Sequence, residues 1–246
     1  MQLRIAHLYP RLMNIYGDRG NVLCLARRCR DRDIEVELTE LSIGDKLDPA
    51  AHDLIFVGGA QDREQRRVAD DLRTAKGPAL HEAVDAGVVA LAVCGGYQLF
   101  GKYYRDSAGG QLEGLGVFDL WTEHPGAGSP RLIGNVVAEL ADGTTLAGFE
   151  NHGGRTYLAE GAQALARVKS GHGNNGSDAT EGARNNNAFG TYLHGSLLPK
   201  NPRFADALLQ LALRRRYGDA VQLAPLDDRL ENAAHAAALR LTGSRR

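Results

Sequence analysis

The chain has 246 residues, 43% of them hydrophobic, which is enough for one domain with a full core, and we predict a single domain over residues 1–246. Its 29 basic and 30 acidic residues give a net charge of −1, so charge provides no argument for binding nucleic acid or a membrane surface.

No apolar run reaches the roughly 20 residues that span a bilayer, and we expect no direct membrane insertion. The first predicted strand begins at residue 3 and the three cysteines are an odd count. We therefore expect no targeting segment and a cytoplasmic location.

Hydrophobic patterns predict alternating strands and helices in the first half of the chain. In order, these are a strand over 3–8, a helix over about 20–32, strands over 34–41 and 53–58, a helix over about 63–86, a strand over 88–93 and a helix over 95–102. The second half is rich in strands, predicted over 116–121, 131–139, 146–150, 164–169 and 187–193, with helices near 201–217 and 227–241. The βαβ order with short crossovers predicts an α/β fold, with a mostly parallel sheet, helices on both faces and an antiparallel extension.

Cys94 directly follows the apolar strand predicted over 88–93, and Gly95 and Gly96 come next, where a helix begins. A cysteine on a sharp strand-to-helix turn projects its sulfur above the sheet, and the positive end of the helix favours the thiolate. Gly95 lets a reacting carbonyl approach the backbone, so its N–H is a candidate oxyanion donor. A lone buried cysteine is more often structural, but the two glycines and Gln98 favour a nucleophile.

The sequence from Val93 to Gln98 resembles the nucleophile motif of class I glutamine amidotransferases, G-x-C-x-G-x-Q, with Ala92 in place of the first glycine. The resemblance implies a flavodoxin-like amidotransferase fold and a thiol that attacks the side-chain amide of L-glutamine. It also implies that Gln98 helps to hold the substrate. An amide is suited to hydrogen-bonding another amide, and Gln98 lies on the same helix face as Cys94.

His194 is the best candidate for the catalytic base among the eight histidines. It follows the strand predicted over 187–193 and lies 100 residues after the cysteine, near where the family has its catalytic histidine. From a strand end beside Cys94 it could take the thiol proton and later protonate the leaving ammonia. His152 is the rival. Because the cobyric acid synthase branch of the family has a similar E-x-H-x-G sequence upstream of its catalytic histidine, we expect His152 to support the pocket wall.

The family's triad acid, a glutamate two residues after the histidine, is replaced by Ser196. A serine cannot orient an imidazole as a carboxylate does. We therefore expect either a Cys–His dyad or an acid supplied by another subunit, and a chain that is a weak glutaminase until its partner activates it.

Glycines and asparagines suggest further features of the site. The strand predicted over 53–58 ends in Gly58-Gly59, and we expect the Gly59 N–H to be a second oxyanion donor, although an ordinary turn has the same composition. The runs at 171–176 and 185–187 predict tight turns, or else a mobile loop that gates the pocket. No cluster of cysteine and histidine indicates a metal site.

Five stretches occur in order along the chain: NIYGDRGN (14–21), VGGAQDREQ (57–65), RLIGN (131–135), GNNG (173–176) and GTYLHGSLLPKNP (190–202). Together they resemble the family of glutaminase subunits of bacterial lipid II isoglutaminyl synthase, whose partner is the Mur-ligase-like subunit MurT. The resemblance implies a heterodimer in which Arg131 grips the α-carboxylate of glutamine, as suits a guanidinium. Ammonia would pass to MurT, which amidates D-glutamate of lipid II to D-isoglutamine. The chain lacks a G-x-x-x-x-G-K-[ST] loop, so we expect no cofactor here, and ATP and Mg²⁺ on the partner.

Other functions fit parts of the sequence. A glutaminase component of cobyric or cobyrinic acid amidation would share the motifs, but those enzymes usually carry a fused ATP-binding domain. A non-catalytic regulatory subunit of the same fold would not need intact Cys94, Gln98 and His194. A DJ-1-like cysteine hydrolase would also use a cysteine on such a turn, but it would give Gln98 and Arg131 no function.

Overall fold

The computed structural model describes residues 1–194 and 196–243. The strands are β1 (Gln2–Leu8), β2 (Glu35–Leu41), β3 (Leu54–Val57), β4 (Val89–Val93), β5 (Tyr103–Arg105), β6 (Gln111–Glu113), β7 (Leu120–Glu123), β8 (Leu132–Glu139), β9 (Thr145–His152), β10 (Arg155–Leu158), β11 (Ala166–Ser170), β12 (Thr180–Glu181), β13 (Ala183–Asn185) and β14 (Ala188–Thr191). The α-helices are α1 (Arg19–Arg30), α2 (Asp62–Asp71), α3 (Gly77–Asp85), α4 (Gly95–Phe100), α5 (Pro202–Tyr217) and α6 (Arg229–Gly243).

The central sheet has the strand order β13-β14-β4-β3-β1-β2. All its neighbouring pairs are parallel except β13 with β14, which confirms the predicted mostly parallel α/β sheet. Strands β3 and β4 are buried along their whole length, as continuous apolar runs in a parallel sheet require. The carboxyl ends of β1, β3, β4 and β14 share one edge of the sheet, which is where ligands bind in such folds.

From residue 103 onward the chain adds antiparallel strand pairs, as expected, but mostly in two separate four-stranded sheets, and one pair, β5 with β7, is parallel. Their orders are β12-β11-β8-β9 and β10-β7-β5-β6. The strand predicted over 116–121 is wrong in position, since β7 begins only at Leu120. The single helix predicted over 63–86 is also wrong. A π-helical segment, Leu72–Lys76, joins α2 to α3, and Pro78 stands in the first turn of α3, where its missing N–H costs no helical hydrogen bond.

No helix of the described residues combines the length and the apolar character needed to cross a bilayer.

His7 on β1 makes the stability of the fold sensitive to acid. Both ring nitrogens are buried and have no hydrogen-bond partner among the described residues, and the ring packs edge-on against Phe56. Burial, the largest cause, lowers the pKa of His7 to about 4. The unfolded chain binds this proton near pH 6.5 and the folded chain only near pH 4, so folding free energy is lost as pH falls through this window.

We therefore expect His7→Leu to remove part of the acid sensitivity. Between pH 7.5 and 4.5 the wild-type protein should lose roughly 2 kcal/mol more unfolding free energy than the variant. Denaturant titrations of both proteins across this range measure the difference. Equal pH slopes for the two proteins would contradict the assignment.

Candidate active site

Cys94 occupies a strained turn between β4 and α4. Its backbone has φ 49° and ψ −104°, a conformation that a non-glycine residue adopts only when the surroundings enforce it. The Cys94 N–H donates to the Thr191 carbonyl at 2.8 Å, which ties the turn to the end of β14. The start of α4 packs directly on the end of β3, because a Cβ at Gly96 would lie only 2.8 Å from the Gly58 oxygen. The sharp strand-to-helix turn predicted at Cys94 is therefore present in the structure.

His194 lies three residues beyond the end of β14 and is completely buried. Its backbone N–H donates to the Phe149 carbonyl at 2.7 Å, which fixes the residue against β9. The Nδ1 atom lies 3.3 Å from Oδ1 of Asp18. The Nε2 atom is buried and has no hydrogen-bond partner among the described residues, so it is left for Cys94.

Asp18 corrects the expectation that this chain lacks a carboxylate for its histidine. Its side chain is completely buried, with Oδ1 on His194 and Oδ2 accepting the Gly59 N–H at 2.7 Å. Asp18 stands at the N-cap position of α1, but its side chain makes no capping hydrogen bond. The Asp18 side chain therefore does not cap the helix, and Cys94, His194 and Asp18 supply the three groups of a catalytic triad from one chain.

Ser196, at the family's glutamate position, supports the loop that carries Asp18. Its hydroxyl donates to the Gly17 carbonyl at 2.8 Å. A Cβ at Gly20 would lie 2.2 Å from the same hydroxyl, so only glycine at that position allows the contact. The carboxylate therefore comes from the loop between β1 and α1, and Ser196 holds that loop in place. Gly195, between His194 and Ser196, lies outside the described residues.

The environment of His194 favours its protonated form. Burial, the largest single cause, lowers the pKa, but the charge of Cys94 and the hydrogen bond to Asp18 outweigh it and raise the pKa of His194 to about 10. Because this lies above the unfolded value, the interactions stabilise the fold fully below about pH 6.5, and that stabilisation is lost as pH rises through about 10. The structure therefore favours a protonated His194 at neutral pH.

A histidine titration should detect this shift. With ¹³C-labelled histidine, NMR is expected to show His194 still protonated at pH 8 in the wild-type protein. In Cys94→Ala and in Asp18→Asn the pKa should fall, because each change removes a group that stabilises the imidazolium. A wild-type His194 that titrates near pH 6.5 would contradict the pairing.

The oxyanion donors differ in part from those predicted. The Gly59 N–H is engaged by Asp18 at 2.7 Å, so its expected function as an oxyanion donor is wrong in this structure. The Gly95 N–H has no partner among the described residues, and neither does the Ala60 N–H. A Cβ at Gly95 would lie 2.9 Å from the Ala60 nitrogen, so the two N–H groups are neighbours. Gly95 and Ala60 therefore form the candidate oxyanion hole.

A cavity of about 490 Å³ contains Cys94 in its wall, and Gln98, Arg131 and His152 also line it. Gln98 is buried, and both ends of its amide are held by protein groups. Its oxygen accepts from Gln65 Nε2 at 3.0 Å, and its nitrogen donates to the Tyr192 hydroxyl at 3.1 Å. Gln98 thus lies at the cavity, as a substrate-holding residue must, with one amide proton and one lone pair still available.

Arg131 lies at the exposed rim of the cavity and is held by Asn151. Its Nε donates to Asn151 Oδ1 at 2.8 Å, and Nη2 donates to the Asn151 carbonyl at 2.9 Å. Asn151 Nδ2 donates to the Tyr16 hydroxyl at 2.6 Å. The Tyr16 ring packs edge-on against His194, with ring centroids 5.2 Å apart. A continuous set of contacts therefore connects Arg131 to the triad histidine.

His152 supports the cavity wall. Its ring stacks on Tyr192 with centroids 3.6 Å apart, and its Nδ1–H donates to the Gly154 carbonyl at 2.8 Å. Burial is the main reason that its pKa is lowered, so it stays neutral. No hydrogen bond joins it to the triad, and this geometry favours His194 over His152 as the base.

The glycine- and asparagine-rich runs form hydrogen-bonded turns, and none of the residues 171–176 and 185–187 lines the cavity. Asn174 and Asn175 are buried, and their side chains bind the backbone of the same region. Among the described residues, no group of three or more His, Cys, Asp or Glu is placed to hold a metal ion.

The fold and this site have counterparts in known proteins. Residues 4–202 match the CobB/CobQ-like glutamine amidotransferase domain. A solved structure of a glutamine amidotransferase has the same fold, with a TM-score of 0.56 at 16% identity over 84% of this chain and 98% of that one. The GatD subunit of the glutamine-hydrolysing lipid II isoglutaminyl synthase of Streptococcus pneumoniae is 41% identical over 92% of this chain and 86% of its own length. The corresponding subunit of Staphylococcus aureus is 41% identical over 87% of this chain and 86% of its own length. The chain therefore belongs to the CobB/CobQ-like glutamine amidotransferase family, and within it to the GatD subunits.

The cobyric acid synthases are more distant relatives. A probable cobyric acid synthase of Methanothermobacter thermautotrophicus is 32% identical over 76% of this chain, but the match covers only 38% of that protein. The expected alternative in cobyric acid amidation therefore fits less well than the GatD assignment.

Proposed function

We propose that this chain is the glutamine-hydrolysing subunit of a lipid II isoglutaminyl synthase. The observation that carries the proposal is the arrangement of Cys94, His194 and Asp18 at a cavity whose rim presents Arg131. A thiol, an imidazole and a carboxylate in this order perform acyl transfer by covalent catalysis. The GatD relatives are named as glutamine-hydrolysing subunits of that synthase, which supports glutamine as the substrate.

The first half-reaction transfers the glutamyl group to sulfur. The Cys94 thiolate attacks the side-chain amide carbon of L-glutamine, and the N–H groups of Gly95 and Ala60 stabilise the oxyanion of the tetrahedral intermediate. His194, held by Asp18, donates its Nε2 proton to the departing nitrogen. The C–N bond breaks, ammonia leaves, and a γ-glutamyl thioester with Cys94 remains.

The second half-reaction regenerates the thiolate. His194 is now neutral at Nε2 and takes a proton from a water molecule, which attacks the thioester carbonyl. The same oxyanion donors stabilise the second tetrahedral intermediate. The C–S bond breaks and glutamate leaves, with His194 protonated again and the charge of the imidazolium balanced by Asp18.

The ammonia serves a partner subunit. By resemblance that partner is the Mur-ligase-like MurT, in a heterodimer that holds ATP and Mg²⁺ and amidates D-glutamate of lipid II to D-isoglutamine. No nucleic acid is involved. The lipid-linked acceptor would be reached through the partner, on the cytoplasmic face of the membrane, and we therefore expect this chain in the cytoplasm.

The test is to purify this chain with the Mur-ligase-like protein of the same organism and supply lipid II, ATP, Mg²⁺ and glutamine. Amidated lipid II, detected by mass spectrometry, and equimolar glutamate are expected. A corrinoid acid acceptor with a cobyric acid synthetase domain provides the comparison. Amidation of the corrinoid and not of lipid II would overturn the proposal.

A further inference from the structure

The cavity around Cys94 contains a carboxylate that the mechanism does not use. Asp62, the first residue of α2, is half-buried in the cavity wall. Among the described residues that line the cavity it is the only one with a carboxylate, whereas Arg63 and Arg131 both contribute guanidinium groups. Asp62 forms no ion pair with either arginine or with any other described residue.

The position of this carboxylate is fixed by a buried phenol. The Tyr104 hydroxyl donates to Asp62 Oδ1 at 2.9 Å, and Tyr104 is only 3% exposed. Burial and the neighbouring charge of Asp62 raise the pKa of Tyr104, so the phenol stays a donor. Oδ2 of Asp62 makes no hydrogen bond to a described residue, which leaves one oriented carboxylate oxygen at the cavity.

The substrate class supplies the group that such an oxygen fits. L-Glutamine has an ammonium and a carboxylate on its α-carbon, and Arg131 offers a guanidinium to the carboxylate. An ammonium at the surface of a cavity that otherwise carries arginines requires a negative partner, and a charged hydrogen bond provides it. From this geometry we infer that Asp62 binds the α-ammonium group of glutamine and selects amides of α-amino acids. This inference rests on the proposed glutamine hydrolysis.

A purely structural function of Asp62 makes a different prediction. A carboxylate in the first turn stabilises α2 through the helix dipole, and the Tyr104 hydrogen bond joins α2 to β5. Loss of that function would lower stability, or slow every substrate by the same factor. Loss of an ammonium site slows only substrates that carry the ammonium group.

The experiment therefore compares three amides in the wild-type chain and in Asp62→Asn, alone and with the partner subunit. They are L-glutamine, 4-carbamoylbutanoate, which lacks the amino group, and 4-aminobutanamide, which lacks the carboxylate. For the wild type we expect kcat/KM for glutamine to exceed that for 4-carbamoylbutanoate by about 10- to 100-fold, the range of one charged hydrogen bond. In Asp62→Asn that ratio should fall towards 1, mainly through a higher KM for glutamine, with 4-carbamoylbutanoate little changed.

Two variants serve as controls. Arg131→Ala should keep the preference for the amino group and lose the preference for glutamine over 4-aminobutanamide. Tyr104→Phe keeps the Asp62 charge and should retain most of the amino-group preference.

An unchanged ratio in a folded Asp62→Asn protein, or an equal loss for all three amides, would overturn the inference. A wild-type protein that hydrolyses glutamine without preferring it to 4-carbamoylbutanoate would overturn the ammonium site alone, whereas failure to hydrolyse glutamine would overturn the proposed function.

Discussion

Replacing Cys94 with alanine is expected to lower glutamine hydrolysis by at least about 10⁴-fold, because the thiolate is the only nucleophile in the reaction. The side chain of Cys94 is largely buried, but the change removes a single sulfur atom, so the fold should persist. Release of glutamate from glutamine, followed with a coupled dehydrogenase assay, measures the loss. His194→Ala should be about as inactive, and the double variant no worse, because the two residues act as a unit.

Free ammonia provides the matched control for Cys94→Ala. In complex with the synthetase subunit, the variant should fail to amidate lipid II with glutamine but succeed with an ammonium salt, since only the supply of ammonia is lost. Glutamine-dependent amidation at near the wild-type rate would show that Cys94 is not the nucleophile. An active His194→Ala beside an inactive His152→Ala would instead move the base to His152.

The turn that carries Cys94 could be predicted from the sequence because its geometry is local. An apolar strand, a cysteine and two glycines within ten residues already define the turn, and the structure shows the positive φ and close packing that these residues permit. The parallel core strands could be predicted for the same reason, since a continuous apolar run is typical of a strand that is buried on both faces. Strands of two or three residues, such as β12 and β13, are too short to show a period.

Asp18 could not be identified in this way because its partner lies 176 residues away along the chain. Its position before α1 is typical of a helix cap, and sequence alone does not show which of the two functions a buried aspartate performs. The available signal was topological. The loop at 14–21 follows β1, and the carboxyl ends of β1, β3, β4 and β14 meet at one edge of the sheet.

The prediction that the Gly59 N–H is an oxyanion donor is wrong because of the orientation of a single peptide group. Gly59 and Ala60 are adjacent in the turn after β3, and either N–H could face the reacting carbonyl. The choice depends on Asp18, whose Oδ2 takes the Gly59 N–H. Because Asp18 was not identified from the sequence, the Gly59 N–H was predicted as an oxyanion donor in place of the Ala60 N–H.

Asp18→Asn is expected to lower kcat for glutamine hydrolysis by about 10²- to 10⁴-fold, with a smaller change in KM. The amide can still accept the Gly59 N–H, so the loop should hold its shape. The substitution removes the negative charge that stabilises the His194 imidazolium. The NH₂ group of the new asparagine also favours the neutral imidazole with its proton on Nε2, which is the atom that must accept the thiol proton. Steady-state kinetics of the chain alone and in its complex, together with thermal unfolding to confirm folding, measure the effect.

The Ser196→Ala variant distinguishes the contribution of the Asp18 carboxylate from that of the loop that holds it. This variant loses the hydrogen bond to the Gly17 carbonyl but keeps the carboxylate on His194, so kcat should fall far less than in Asp18→Asn. The partner subunit provides the opposing test, because an acid supplied from outside would make Asp18 dispensable. If Asp18→Asn matched the wild type in the complex, and changing one partner carboxylate to its amide abolished hydrolysis, the triad would be completed across the interface. With Asp18 as the acid, the complex of Asp18→Asn stays slow, and every partner carboxylate can be changed without removing the glutaminase activity of the wild-type chain.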